Sequence, residues 1–179
     1  MKQPSLIGRV NNDVVLDNGM AKGKYAPTGS VPLFNNEYGV PVSGSLNYCS
    51  IIVMLIYFFG YTLTYIAFLV DCCARYMYCP KHFNEEALKW IGWYLKLTWD
   101  RGLILNPNIE LWKIDSYFYA HFSGIYGHEK PTDTACVKSC TGYVITFSDC
   151  PVLWQSKLQT EIDLSTMEAE ISSLSQNCR

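Results

Sequence analysis

TGYVITFSDCPVLWQSKLQTEIDLSTMEAE, residues Thr141 to Glu170, decides the fold. Gly142–Phe147 and Val152–Trp154 are short β-branched and aromatic runs parted by Ser148, Asp149 and Pro151, a pattern that predicts an antiparallel hairpin. Ser165 then opens a helix, and Glu168 three residues on completes a capping box. Glu170 falls in that helix's first turn, where unpaired backbone N–H groups favour negative charge. A carboxylate fixed there beside a sheet can ligate a metal. The plainer role is to help Glu168 satisfy the helix end.

Working outward, Leu111–Phe118 reads as a further strand, joined to the hairpin by a loop over Ser123–Lys138 that carries Gly124, Gly127 and Pro131. Upstream, Asn84–Trp99 places Leu88, Ile91 and Leu95 at helical spacing behind Glu85 and Glu86, with Asp100, Arg101 and Gly102 as a stop. Met1–Gly44 is rich in Gly, Pro and Asn, and reads as an extended linker with a short pairing near Val14–Leu16. The expected fold class is α+β, with a helical first half followed by about three antiparallel strands and one helix. The expected division is 1–44 linker, 45–108 helical, 109–179 sheet and helix. So small a sheet leaves an unpaired edge, and marginal stability with a tendency to aggregate is expected.

Ser50–Val70, SIIVMLIYFFGYTLTYIAFLV, contains no charged residue. About 20 such residues suffice to cross a bilayer, so a single-pass membrane anchor over residues 50–70 is one reading. The other is a pair of short buried helices.

Composition limits the partners. Fourteen Lys and Arg stand against sixteen Asp and Glu, for a net charge of −2, and the basic residues Lys22, Lys24, Arg75, Lys81, Lys89, Lys96 and Arg101 are interleaved with acids. This is not the basic stripe that nucleic-acid binding normally needs. Trp90, Trp93 and Trp99 could form an aromatic ridge that stacks on bases or packs internally. Eight cysteines without an N-terminal signal peptide read as reduced thiols, and Cys79 with His82 has ligand-like spacing but no second pair to make a zinc site.

The Thr141–Glu170 block, with "CCARYMYCPKHFNEEALKWIGWYLKLTWDRGLIL" at Cys72–Leu105 and "NGMAKGKYAP" at Asn18–Pro27, resembles copia-type LTR retrotransposon Pol polyproteins. The likeness runs from the end of their reverse transcriptase region to the start of their ribonuclease H domain. It implies that residues 45–108 are a reverse transcriptase remnant and 109–179 a truncated ribonuclease H-like domain. In the same likeness, Leu63, Thr64 and Tyr65 stand where a soluble helix pair has an Arg, a Pro and an Asp at its turn. Trp and Cys, including Cys140, stand where Arg is expected. Each is one C-to-T change from a CG-containing codon, the mark of decay in a methylated element.

The resemblance also implies the chemistry to look for. Ribonuclease H uses several carboxylates to hold two Mg²⁺ ions against an RNA–DNA hybrid, and its first acids lie in a DAD(F/W)AG-type motif. The matching residues here are Tyr119, Ala120, His121, Phe122, Ser123 and Gly124. Both aspartates are therefore absent: a neutral phenol is a weak donor to Mg²⁺, and His121 suits softer metals. Asp115 shares a strand face with Tyr119 but stands roughly 13 Å away. Glu170 matches the second family carboxylate, and a third belongs to a later strand. The adjacent aspartates of the polymerase turn do not occur anywhere in the chain. The expectation is an intracellular, degenerate Pol remnant without a bound Mg²⁺ and with no identifiable protein partner. A residual nucleic-acid-binding or hybrid-cleaving module is the alternative.

Overall fold

The computed structural model describes residues 4–14, 26, 33, 39–41, 46–108, 110, 112–123 and 134–177. Val15, Leu16, Lys22, Lys24, Asp133, Cys178 and most of the expected 123–138 loop lie outside the described residues. The described elements are five α-helices and one three-stranded antiparallel sheet, in two compact units, Met1–Leu103 and Ile104–Arg179. The α+β class expected from the sequence is the class observed.

The first unit is helical. α1 spans Pro4–Asp13, α2 Tyr48–Tyr61, α3 Ala67–Ala74 and α4 His82–Leu97. α1 corrects the extended-linker reading of this stretch. Ile7, Val10 and Val14 recur at helical spacing and are buried, so the segment gains by helix formation what Gly8, Asn11 and Asn12 cost in propensity. The core gathers these three with Ile51, Ile52, Leu55 and Phe58 of α2, Leu69 and Val70 of α3, and Leu88, Ile91 and Leu95 of α4.

The uncharged run does not form one long helix, which corrects the membrane-anchor reading. α2 ends where the Thr62 N–H and hydroxyl both donate to the Phe58 carbonyl, and Leu63 then turns extended at φ −129°, ψ 73°. A 3₁₀ turn at Thr64–Ile66 leads into α3. Threonine's hydroxyl competes for the backbone, so Thr62 does the breaking that the missing proline would have done. Folding back buries Leu63 and Ile66 together with α2's inner face. Among the described residues no helix is long and apolar enough to cross a membrane.

α4 stops by the same device. The Thr98 hydroxyl donates to the Tyr94 carbonyl at 2.8 Å, so the helix ends at Leu97 and Gly102 is not its cap. At the other end the Lys81 N–H donates to Asn84 Oδ1, and buried Glu85 pairs with Lys89 Nζ at 2.8 Å.

Asp71 on α3 pairs with Arg75 at 2.8 Å, yet its carboxyl sits above its ordinary pKa because burial outweighs that partner. A carboxyl that binds its proton more tightly when folded stabilises the fold below its unfolded pKa, and that contribution is lost as pH rises through the folded value. Asp71→Asn is therefore expected to gain stability relative to wild type as pH is raised from 4 to 7. Urea midpoints at the two pH values measure it.

In the second unit, β1 (Ile114–His121), β2 (Cys140–Phe147) and β3 (Cys150–Leu158) are ordered β1-β2-β3, and α5 is Thr166–Asn177. The hairpin is as expected but longer. Ser148 and Asp149 alone make its turn, both with positive φ (50° and 65°), which is the two-residue geometry that suits the strand twist. Pro151 lies inside β3, on an edge strand beside the register shift at Ile145/Thr146, where a missing N–H is tolerated. Asp149→Gly is expected to stabilise this unit by about 0.5–1 kcal/mol, since glycine takes positive φ without strain. Chemical denaturation reads it directly.

Candidate functional site

β1 begins three residues later than expected and runs to His121, so Tyr119, Ala120 and His121 are strand residues. Their register is Tyr119 opposite Gly142, Ala120 opposite Thr141 and His121 opposite Cys140. Side chains alternate along a strand, so Ala120 and Thr141 face one way, while Asp115, Tyr119 and His121 share the other face. Ala120 and Thr141 are buried, and Tyr119 and His121 are exposed.

α5 is started by the capping box that the sequence implies, displaced by one residue. Ser165 Oγ accepts the Glu168 N–H at 3.1 Å, and Glu168 Oε2 accepts the Leu164 N–H at 2.7 Å. The helix is fastened to the sheet by Gln159, which is buried. Its Nε2 donates to Thr141 Oγ1 at 2.8 Å and to the Ala169 carbonyl at 3.0 Å. Nothing in the sequence reading singled out Gln159. Its signal was weak: a polar residue directly after a strand normally reads as the start of a loop.

These contacts place Glu170 against β1. Its Oε1 accepts the Ala120 N–H at 3.2 Å, across fifty residues of sequence. That N–H is therefore directed away from β2, towards the outer edge of the strand. Glu170 is not a first-turn cap; it ties α5 to an edge strand, at the alanine lying between the two positions where the resemblance expects aspartates.

Among the described residues, no group of three or more His, Cys, Asp or Glu that could hold a metal includes this carboxylate. Asp115 lies at the far end of β1, paired with Lys113 Nζ at 2.8 Å, an exposed amine whose pKa that bond raises. Asp163, in the loop before α5, is buried, with Oδ1 accepting the Ser172 hydroxyl at 2.8 Å. Asp149 does sit in the hairpin turn. Among the described residues no three His, Cys, Asp or Glu side chains converge on a point that could hold a metal, and Cys79 with His82 makes no exception. His82 Nδ1 instead lies 3.9 Å from Glu86.

The three tryptophans do not form a ridge. Trp90 donates its indole N–H to the Ala26 carbonyl, Trp93's indole nitrogen is buried, and Trp99 lies beyond the end of α4 and is exposed.

A three-stranded antiparallel sheet with helix α5 tied to its edge strand through Glu170 makes the second unit α+β. The chain's homologues are retrovirus-related Pol polyproteins from plant transposons. The chain is 36% identical over 123 residues, 69% of its length, to the polyprotein from transposon TNT 1-94 of Nicotiana tabacum. It is 27% identical over 154 residues, 86% of its length, to those from transposons RE2 and RE1 of Arabidopsis thaliana. It spans 8% of the first relative and 10% of each of the other two. No family model matches the chain. No solved structure matches it.

Proposed function

We propose that this chain is a decayed piece of a copia-type Pol polyprotein, joining the end of a reverse transcriptase region to the start of a ribonuclease H-like domain, and that it does not cleave nucleic acid. The observation that carries this reading is the Glu170–Ala120 contact. It supports a helix-to-strand arrangement in which a catalytic carboxylate would sit, with Tyr119 and His121 on either side of the contact residue.

The donor set does not fit a pair of Mg²⁺ ions. Hard divalent cations take several oxygen ligands, mostly carboxylates, and two-metal sites bring those carboxylates from separate elements to one point. Here Glu170 already accepts a backbone N–H, a phenol and an imidazole occupy the positions matched to aspartates, and Asp115 is engaged by Lys113. Nor does the surface charge favour a hybrid substrate, because the net charge is −2.

A calorimetric titration with MgCl₂ tests the donor-set argument. No Glu170-dependent heat is expected at millimolar metal. Saturable binding in wild type that vanishes in Glu170→Ala would overturn it.

A further inference from the structure

The cysteines divide sharply by environment. Cys72, Cys73, Cys136, Cys140 and Cys150 are buried, and burial pushes the Cys73 thiol up to about 12. Cys49 and Cys79 are exposed and free. Thiolates are the reactive form, and buried thiols in apolar surroundings are inert, so chemistry among the described cysteines falls to these two.

Cys49 also touches the segment that carries Cys79. Cys49 lies in the first turn of α2, and its Sγ donates to the Met77 carbonyl at 3.4 Å. Cys79 is two residues beyond Met77, and two residues span at most about 7 Å of chain. The neighbouring Tyr48 hydroxyl donates to the Cys73 carbonyl at 2.8 Å, which fixes the start of α2 against the end of α3. Met77–Cys79 is a run of bends outside any helix, and Tyr78 is fully exposed. No helical hydrogen-bond ladder holds the segment that carries Cys79, while Cys49 stands on a helix facing it. A disulfide needs the two Cα atoms within about 4.4–6.8 Å, and closing the Met77–Cys79 bends onto the start of α2 is the movement that would supply it.

We propose that Cys49 and Cys79 are a redox-modification site that closes to an intramolecular disulfide by exchange with a low-molecular-weight disulfide such as oxidised glutathione. The Cys79 thiolate attacks one sulfur of the oxidant, forming a mixed disulfide and releasing one glutathione thiolate. The Cys49 thiolate then attacks the Cys79 sulfur, forming the Cys49–Cys79 bond and releasing the second glutathione. Two protein thiols lose their protons and two electrons pass to the oxidant, which leaves as two thiols. Cys79 reacts first because it stands on the open segment, whereas the Cys49 sulfur is engaged by the Met77 carbonyl. The bond clips the start of α2 to the α3–α4 connection, enclosing a loop that contains the whole helical hairpin.

The whole chain, incubated with oxidised glutathione and analysed intact and after non-reducing digestion, tests this. Wild type is expected to become two hydrogens lighter, with Cys49 and Cys79 in one linked peptide, and its Tm to rise relative to the reduced form. Cys49→Ser is expected to stop one glutathione heavier, modified at Cys79, and to lose the Tm rise. Wild type carrying two separate glutathiones, or a linked peptide that pairs either residue with Cys178 instead, would overturn the proposal. Far-ultraviolet circular dichroism of Cys49→Ser and Cys79→Ser, matching that of reduced wild type, shows that the variants fold.

Discussion

Phe58→Ala is expected to cost the helical unit about 3–5 kcal/mol, a large share of the roughly 5–15 kcal/mol that holds a domain of ordinary stability together. Phe58 is among the largest fully buried side chains, and it sits one residue-turn before the break that ends α2. Its carbonyl receives both the Thr62 N–H and the Thr62 hydroxyl, so the ring anchors the inner face of α2 at the point where the chain reverses. Removing it opens a cavity in the buried cluster that also holds Leu55, Leu63 and Ile66. By contrast Tyr57→Ala, on the exposed side of the same helix, is expected to change stability little, because its ring is exposed and lies tilted against Tyr61 at a centroid distance of 4.9 Å. Urea denaturation of the pair distinguishes a helical hairpin packed on its inner face from a helix whose whole circumference is buried. Equal losses in the two variants would contradict the hairpin.

Gln159→Leu carries the second large effect, an expected loss of about 2–4 kcal/mol from the sheet unit. The substitution nearly conserves volume, so little of the loss comes from packing. It removes the amide that serves Thr141 Oγ1 and the Ala169 carbonyl, and it leaves two buried polar groups without that donor. Glu170 follows Ala169 directly, so loosening this tie also releases the carboxylate from the Ala120 N–H. Hydrogen exchange at Ala120 reports it, with faster exchange expected in Gln159→Leu and in Glu170→Ala. Unchanged exchange at Ala120 in both variants would mean that the tie does not hold the site together.

The parts of this fold that were legible in the sequence are those set by local chemistry. Ser165 and Glu168 announce a helix start through their own hydrogen bonds, and Ser148-Asp149 announces a turn because short polar residues tolerate positive φ. The parts that were not legible depend on what the chain packs against. α1 is written in Ile7, Val10 and Val14, but three apolar residues among Gly and Asn are ambiguous until a core exists to receive them. The break at Thr62–Leu63 has no proline to mark it, and it takes the Thr62 hydroxyl on the Phe58 carbonyl together with the burial of Leu63 and Ile66 to make the reversal preferable to a straight helix. Membrane-scale hydrophobicity over Ser50–Val70 therefore reflects a helix pair whose outer surface also carries Val53, Ile56, Tyr57 and Phe68.

The residues of the proposed site could be read from the sequence and their geometry could not. Tyr119, His121 and Glu170 are matched to it by resemblance alone, and the absence of acids at 119 and 121 follows from residue identity. What the sequence could not supply is the path of the Glu170 side chain. Local reasoning puts Glu170 in the first turn beside unpaired N–H groups, whereas α5 begins at Thr166, so Glu168 is the acid of the first turn and Glu170 lies beyond it. The tertiary contact wins because α5 lies against the sheet and the edge strand β1 presents an N–H that β2 does not use.

Cleavage of a labelled RNA–DNA hybrid in MgCl₂ tests most directly the proposal that Glu170 is the one carboxylate left of a nuclease site and that the chain does not cleave nucleic acid. Wild type and Glu170→Ala are predicted to give the same background as buffer alone. Mg²⁺-dependent cleavage by wild type that disappears in Glu170→Ala would contradict the account.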